Sequence, residues 1–157
     1  MRANAGNQGL VLSGNEFANQ IHGGAGGDTL NGMAGDDILR GNDGADTLSG
    51  GLGQDKLFGG SAADTFAFAS AAEAGNDALR DQIRDFEDGS DLIDLSGFGG
   101  TFEFIGSAGF SGSAGELRAF NAGAHTYVAG DLKGDLAADF EIFVLGHHTL
   151  SETDFVL

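Results

Sequence analysis

Six side chains at a spacing of nine carry the chemistry open to this sequence: Asn19, Asp28, Asp37, Asp46, Asp55 and Asp64. Repeated hard oxygen donors with no cysteine among them suit calcium, which takes six to eight oxygen ligands, better than zinc. One carboxylate is too few, so backbone carbonyls and a second loop must complete each cage. Read from Gly14 in steps of nine, the chain gives GNEFANQIH, GGAGGDTLN, GMAGDDILR, GNDGADTLS, GGLGQDKLF and GGSAADTFA, ending at Ala67. Position one is always glycine, and position eight holds Ile21, Leu30, Leu39, Leu48, Leu57 and Phe66. With 41% apolar residues, six out of six has a chance of about 0.005.

These positions have separate mechanical jobs. The glycines permit positive φ and a tight loop with inward carbonyls, and the apolar position eight, between outward neighbours, centres a very short strand of about three residues. If each unit reverses the chain, two units make one coil of about 18 residues, and loops of like parity stack. One edge then stacks Asp28, Asp46 and Asp64, and the other Asn19, Asp37 and Asp55. Ions are expected between successive members: Asp28 with Asp46, Asp46 with Asp64, Asp37 with Asp55, and Asn19 with Asp37. The last site is the weakest, because Asn19 is neutral and its loop lacks the glycines at positions two and four.

The units resemble the RTX nonapeptide, glycine-glycine-x-glycine-x-aspartate-x-apolar-x, of calcium-binding proteins. The resemblance implies an all-β fold and a parallel β-roll, and the four pairings above give about four calcium ions. It implies ligands at position six and, through the loop backbone, at positions one, three and five. Those loop positions are Gly23, Ala25 and Gly27; Gly32, Ala34 and Asp36; Gly41, Asp43 and Ala45; Gly50, Leu52 and Gln54; and Gly59, Ser61 and Ala63.

Composition agrees. Seven basic against 24 acidic residues give a net charge of −17, which repels nucleic acid and anionic membranes. Four divalent ions would cancel about eight of those charges, and their binding free energy would become folding free energy. Without calcium the repeats are expected to be disordered, since one buried side chain per strand does not offset the ordering of nine residues. The absence of cysteine excludes disulfides and thiolate metal sites. No apolar stretch is long enough for a membrane span, and the first twenty residues lack the apolar core of a signal peptide.

Past Phe68 the register stops. AFASAAEAGNDALR reads as a turn or short helix, and DQIRDFEDGSDLIDLSGF as a hairpin, with Ile83 and Phe86 before the EDGSD turn and Leu92, Ile93 and Leu95 after it. Further strands are expected at 101–105, 116–120, 125–129 and 140–145, capping the roll. ADTFAF, DQIRDFEDGSDLIDLSGF, ADFEIFVLG and the terminal DFVL resemble the serralysin-type C-terminal domain of secreted bacterial metalloproteases; similar modules accompany mannuronan C5-epimerases. The resemblance implies that Asp81 completes a calcium site near the last repeat. It also implies that Asp154-Phe155-Val156-Leu157 is a C-terminal signal for type I secretion, so that the protein is extracellular and folds in external calcium. Deleting 154–157 is expected to leave folding largely intact.

Asp131, Asp135 and Asp139 in DLKGDLAAD read as a polar turn rather than a second calcium loop, and His147-His148 does not read as a zinc pair. With no HExxH, GxSxG, phosphate loop or cysteine nucleophile, the chain reads as a non-catalytic module of a secreted enzyme. The division expected is a lead-in at 1–13, a roll at 14–67 and a cap at 68–157, in a monomer whose partners are calcium and the secretion apparatus. The alternative is a calcium-dependent polysaccharide (alginate)-binding module. Against it stands the placing of Arg40 and Lys56, expected on opposite sheets, which makes a poor stripe for a polyanion.

Overall fold

The computed structural model describes residues 8–157; residues 1–7 of the expected lead-in lie outside the described residues. The repeats form short strands joined by reversing loops: β1 (Val11–Asn15), β2 (Gln20–Ala25), β3 (Thr29–Met33), β4 (Ile38–Asp43), β5 (Thr47–Ser49), β6 (Lys56–Ser61) and β7 (Thr65–Ala67). Alternate strands fall in alternate sheets, and every neighbour pair among them is parallel. Leu30 pairs with Leu48 and Leu39 with Leu57, so one coil takes 18 residues. β2, β4 and β6 are each six residues long, longer than expected, because the first glycines of the following unit stay in the ladder, as in the Asn42–Gly60 pair.

Beyond Ala67 come a one-turn helix α1 (Ala71–Ala74), β8 (Gln82–Ile83), β9 (Leu92–Asp94), β10 (Glu103–Phe104), β11 (Glu116–Ala122), β12 (His125–Asp131), β13 (Phe140–Val144) and β14 (Phe155–Val156). The expected hairpin around EDGSD does not form. β8 pairs in parallel with β6, and β9 in parallel with β7, so the turn crosses from one sheet to the other. The physical reason is that β6 and β7 offer open ladder edges above an apolar column. Asp55 and Asp64 carbonyls accept the N–H groups of Gln82 and Leu92, and both Ile83 and Ile93 become fully buried. The parallel coil thus continues past Ala67.

Two columns of side chains form the core. Leu12, Leu30, Leu48, Phe66, Ile93 and Phe155 succeed one another in the six-stranded sheet β1-β3-β5-β7-β9-β14. Ile21, Leu39, Leu57, Ile83 and Val144 do so in the eight-stranded sheet β10-β11-β12-β13-β8-β6-β4-β2. The four expected C-terminal strands are β10 to β13; β11, β12 and β13 are antiparallel and carry the longest ladders of the cap. They close the roll with the larger side chains, Phe98 and Phe102 packing around Phe140, whose ring lies over the Cβ-free face of Gly130.

The terminal segment is also structural. Phe155 is only 8% exposed, packs its ring against Phe104 and pairs with Ile93, while Asp154 caps a short 3₁₀ turn through Ser151. Removing 154–157 would therefore take a member out of a core column, contrary to the expectation that folding would stay largely intact. Because Ile93 sits between Phe66 and Phe155, Ile93→Ala should destabilise the calcium-saturated protein by about 2–5 kcal/mol in thermal or denaturant unfolding. A loss below about 0.5 kcal/mol, typical of a surface position, would contradict the continued column.

Candidate metal centre

The loops place one carboxylate at each level of the two roll edges except the Asn19 level. On one edge the backbone N–H groups of Leu10, Asp28 and Asp46 donate to Oδ1 of Asp28, Asp46 and Asp64 at 2.8, 2.6 and 2.9 Å. On the other, those of Asn19 and Asp37 donate to Oδ1 of Asp37 and Asp55 at 2.6 and 2.7 Å. The expected stacks of like parity are thus formed, and both go further. Asp55 N–H donates to Asp81 at 2.7 Å, and Asp64 N–H to Asp91 at 2.9 Å.

The second oxygen of each group is the informative one. Oδ2 of Asp28, Asp37, Asp46, Asp55, Asp64 and Asp81 is buried and has no hydrogen-bond partner. A buried, unpaired anionic oxygen is costly unless a cation or proton meets it. Each of the five repeat Oδ2 atoms faces the Cα of the position-one glycine of its own unit: Gly23, Gly32, Gly41, Gly50 and Gly59. At Gly23 and Gly41 a carbonyl of the next coil, Gly41 O or Gly59 O, shares that space; a Cβ would come within 2.9 or 2.6 Å of it. Position one is therefore glycine to leave room for oxygens, since Gly23 and Gly41 do not need positive φ. Positions two and four are different. Met33 and Asn42 hold φ of 82° at position two, and Ala62 holds 85° at position four, where the other repeats mostly carry glycine.

Among the described residues no three His, Cys, Asp or Glu side chains converge on one point. A cation on these edges would take one carboxylate per level and draw its other ligands from the backbone, an oxygen-only set that fits calcium. At position three, the carbonyls of Asp43, Leu52 and Ser61 accept N–H groups of Gly26, Gly35 and Gly44, which ties the stacked loops together. At position five, the Ala45 carbonyl lies over Gly27. The side chain of Asp36 receives Gln54 N–H, and that of Asp43 receives Ser61 Oγ.

Burial pushes the carboxyls up, partly opposed by their N–H donors and reinforced by neighbouring aspartates. Asp46 and Asp55 rise to about 6, Asp64 to about 7 and Asp81 to about 9. Asp37, Asp85 and Asp91 are also raised, again chiefly by burial.

Asn19 stands apart. Its Oδ1 accepts Asn15 N–H and its Nδ2 donates to Asn15 Oδ1, so its side chain closes its own loop and has no orphaned oxygen. Asp81, implicated above only by resemblance, is fully buried beneath Asp55. Asp91 and Asp85, which receives Gly59 N–H, were not singled out in the sequence. The signal that finds Asp91 is Asp-x-apolar: Asp81-Gln82-Ile83 and Asp91-Leu92-Ile93 repeat positions six to eight without the glycines. The polar-turn reading of DLKGDLAAD fits, since Asp131 receives the N–H groups of Lys133, Gly134, Asp135 and Leu136, and Asp139 pairs with Lys133. His147 and His148 go to different partners, Gly123 O and Asp88.

One expectation is overturned. Arg40 and Lys56 lie on β4 and β6, neighbouring strands of the same sheet, because they belong to the third and fifth units, which share parity.

Stacked acidic loops along a two-sheet parallel coil define a β-roll module. The family model for the C-terminal domain of M10 peptidases, the serralysins, matches residues 15–157, and the chain belongs to that family. The solution structure of the AlgE6R2 subunit from the Azotobacter vinelandii mannuronan C5-epimerase is similar over 97% of this chain and 94% of its own, with 30% identity and a TM-score of 0.68. The AlgE6R3 subunit of that epimerase is 33% identical over 97% of this chain and 80% of its own, with a TM-score of 0.47. A search of curated proteins gave no match. Modules of this kind are calcium-binding, non-catalytic regions of secreted enzymes.

A carboxyl whose folded-state pKa is raised favours the fold while protonated and ceases to as pH rises through that pKa. The calcium-free chain should therefore keep more β structure at about pH 5 than at about pH 8, read by circular dichroism in chelator. Calcium must displace those protons, so its apparent affinity should rise over the same interval. An affinity independent of pH would contradict the carboxylate assignment.

Proposed function

We propose that the chain is a calcium-driven folding module, in which Asp28, Asp37, Asp46, Asp55, Asp64 and Asp81, with loop carbonyls, hold about four ions. The supporting observation is the row of buried, unpaired Oδ2 atoms on both edges. When bound, calcium supplies charge neutralisation and joins successive coils. The protein supplies carboxylates oriented by backbone N–H groups, and glycines that keep the space open. The Asn19 level is the weakest, and Asp81 extends the same edge beyond the repeats.

Calcium titration followed by circular dichroism should show a cooperative gain of β structure, reversed by chelator; a spectrum unchanged in excess chelator would sink the reading. Asp46 lies between Asp28 and Asp64 on its edge. Asp46→Ala should therefore lose more bound calcium than Asp28→Ala in calorimetric ion counting, and equal losses would count against ions placed between successive coils. Gly41→Ala, which fills the space over Asp46 Oδ2, should lower affinity as Asp46→Ala does.

The module also serves export, on this reading, carrying an attached bacterial enzyme through a type I apparatus into external calcium. The acidic and apolar terminus, with Val156 38% exposed while Phe155 is packed, supports it. A passenger protein fused ahead of the chain should be secreted by cells with a type I apparatus, and Val156→Asp should cut secretion severalfold while leaving calcium-induced folding unchanged. Equal secretion of the variant would refute the terminal signal.

A further inference from the structure

Seven large apolar side chains are exposed among the described residues, and four of them follow one loop edge of the roll: Phe17, Met33, Leu52 and Leu79, each between 51% and 69% exposed. This is the edge of Asn19, Asp37, Asp55 and Asp81. The loops that carry the row are stacked directly. Ala34 N–H donates to the Asn15 carbonyl at 3.3 Å and Leu52 N–H to the Met33 carbonyl at 3.0 Å. Gly35 passes so close to Phe17 that a Cβ on it would come within 2.7 Å of the Phe17 carbonyl carbon. Beyond them, Gln54 Nε2 donates to the Ala78 carbonyl at 2.6 Å, which brings Leu79 to the end of the row. The opposite edge has nothing comparable, since positions two to four of its loops read GAG, NDG and GSA. Scattered apolar side chains are ordinary on a protein surface, whereas a contiguous row marks an interaction surface.

Met33 holds its place at a backbone cost. Its φ is 82° at position two, where every other unit carries glycine or asparagine. The left-handed region disfavours a long side chain, and an exposed one gains no burial in return. Phe17 takes position four, which is glycine in the next four units. Bulky apolar residues thus stand where the loops themselves need none. Beside Gly53 the row opens into a depression of about 360 Å³ whose lining includes Ala71, Ala72, Leu79 and Asp36. Carboxylates accompany the row: Glu16 beside Phe17, Asp36 in the Met33 loop, and Asp77 near Leu79 with its side chain 93% exposed. The cations beside the depression, Lys133 and Arg80, are held by Asp139 and Glu141. The other described cations stand on or beside strands of the eight-stranded sheet.

We propose that this row is a docking surface for a basic amphipathic helix of another protein, presented only when calcium has stacked the loops. It rests on the calcium-driven folding proposed above. The row takes the apolar stripe of the helix, and the flanking carboxylates take its lysines or arginines. A helix suits the surface because the backbone is not open to strand addition: the N–H groups of Ala34, Gly35 and Leu52 are spent on neighbouring loops. Four levels at about 4.8 Å span roughly 14 Å, the length of about ten helical residues. Methionine adapts its unbranched chain to a partner's contours. A second copy is disfavoured, because it would set Glu16, Asp36 and Asp77 against the same carboxylates in a chain of net charge −17. That charge also opposes an anionic lipid surface. Residues 1–7, MRANAGN, have one basic side chain and no apolar stripe, so they do not supply the helix.

The test uses a labelled amphipathic helical peptide of leucine and lysine, about 14 residues long. It is titrated with the full chain and followed by fluorescence anisotropy in about 0.15 M salt. The controls are the same pattern with glutamate for lysine, and an oligolysine of equal charge. The calcium-saturated chain should bind the leucine-lysine helix at least tenfold more tightly than either control, and chelator should abolish binding. Leu52→Gln and Met33→Asn should each weaken binding about fivefold. Both should keep the calcium-induced circular dichroism of the parent, because Leu52 is exposed and Asn42 already holds φ of 82° at position two of the unit after Met33. Four results would each overturn the proposal while leaving calcium-driven folding intact: no binding by the folded chain, equal binding of either control, binding that survives chelator, or unchanged affinity in both variants. A circular dichroism spectrum indifferent to calcium would overturn both.

Discussion

The structure depends on a row of buried carboxylates, Asp28, Asp37, Asp46, Asp55, Asp64 and Asp81, each with only one of its oxygens hydrogen-bonded. The bonded oxygen fixes spacing, since its donor is the backbone of the preceding coil and the pairing therefore sets the register of the ladder. The free oxygen creates an unfavourable site that a divalent cation resolves. Stacking and cation demand come from one side chain, so coil geometry and metal dependence cannot be tuned apart. Hydrophobic burial alone would not hold such a roll: each strand places one side chain in a column, against the ordering of nine residues.

Much of this was legible in the sequence, because the repeat has a strict period and its positions have distinct steric duties. Asp28 to Asp64, the apolar column from Ile21 to Phe66, and the 18-residue coil follow from spacing alone. The β-roll fold and the family follow from resemblance, which the comparisons support. What escaped was continuation without glycine. Ile83 and Ile93 looked like the arms of a hairpin because local turn chemistry favours a short loop, whereas the open edges of β6 and β7 decide in favour of parallel addition. Asp91 was missed for the same reason, and Arg40 and Lys56 were misplaced by a parity error, their units being two apart and not one.

The charge of the molecule is divided between two kinds of surface. Carboxylates gather along the loop edges, where the backbone can hold them at successive levels, while the unpaired cations gather on a sheet face. Arginines stacked on Phe58 and Phe120 keep their guanidinium groups near apolar surface without a counter-ion, an arrangement suited to their weak hydration.

The place of Phe155 beside Ile93 has a consequence for the order of assembly. The six-stranded sheet is built from residues 11 to 67, then 92 to 94, and closed only by 155 and 156. Coils can stack as the repeats become free, but the far end of that core column stays open until residues 155 and 156 join it. The closing contact is of long range in sequence, and long-range pairing is slow to form. Closure of that column therefore waits on residues 155 and 156, whatever the earlier coils have done.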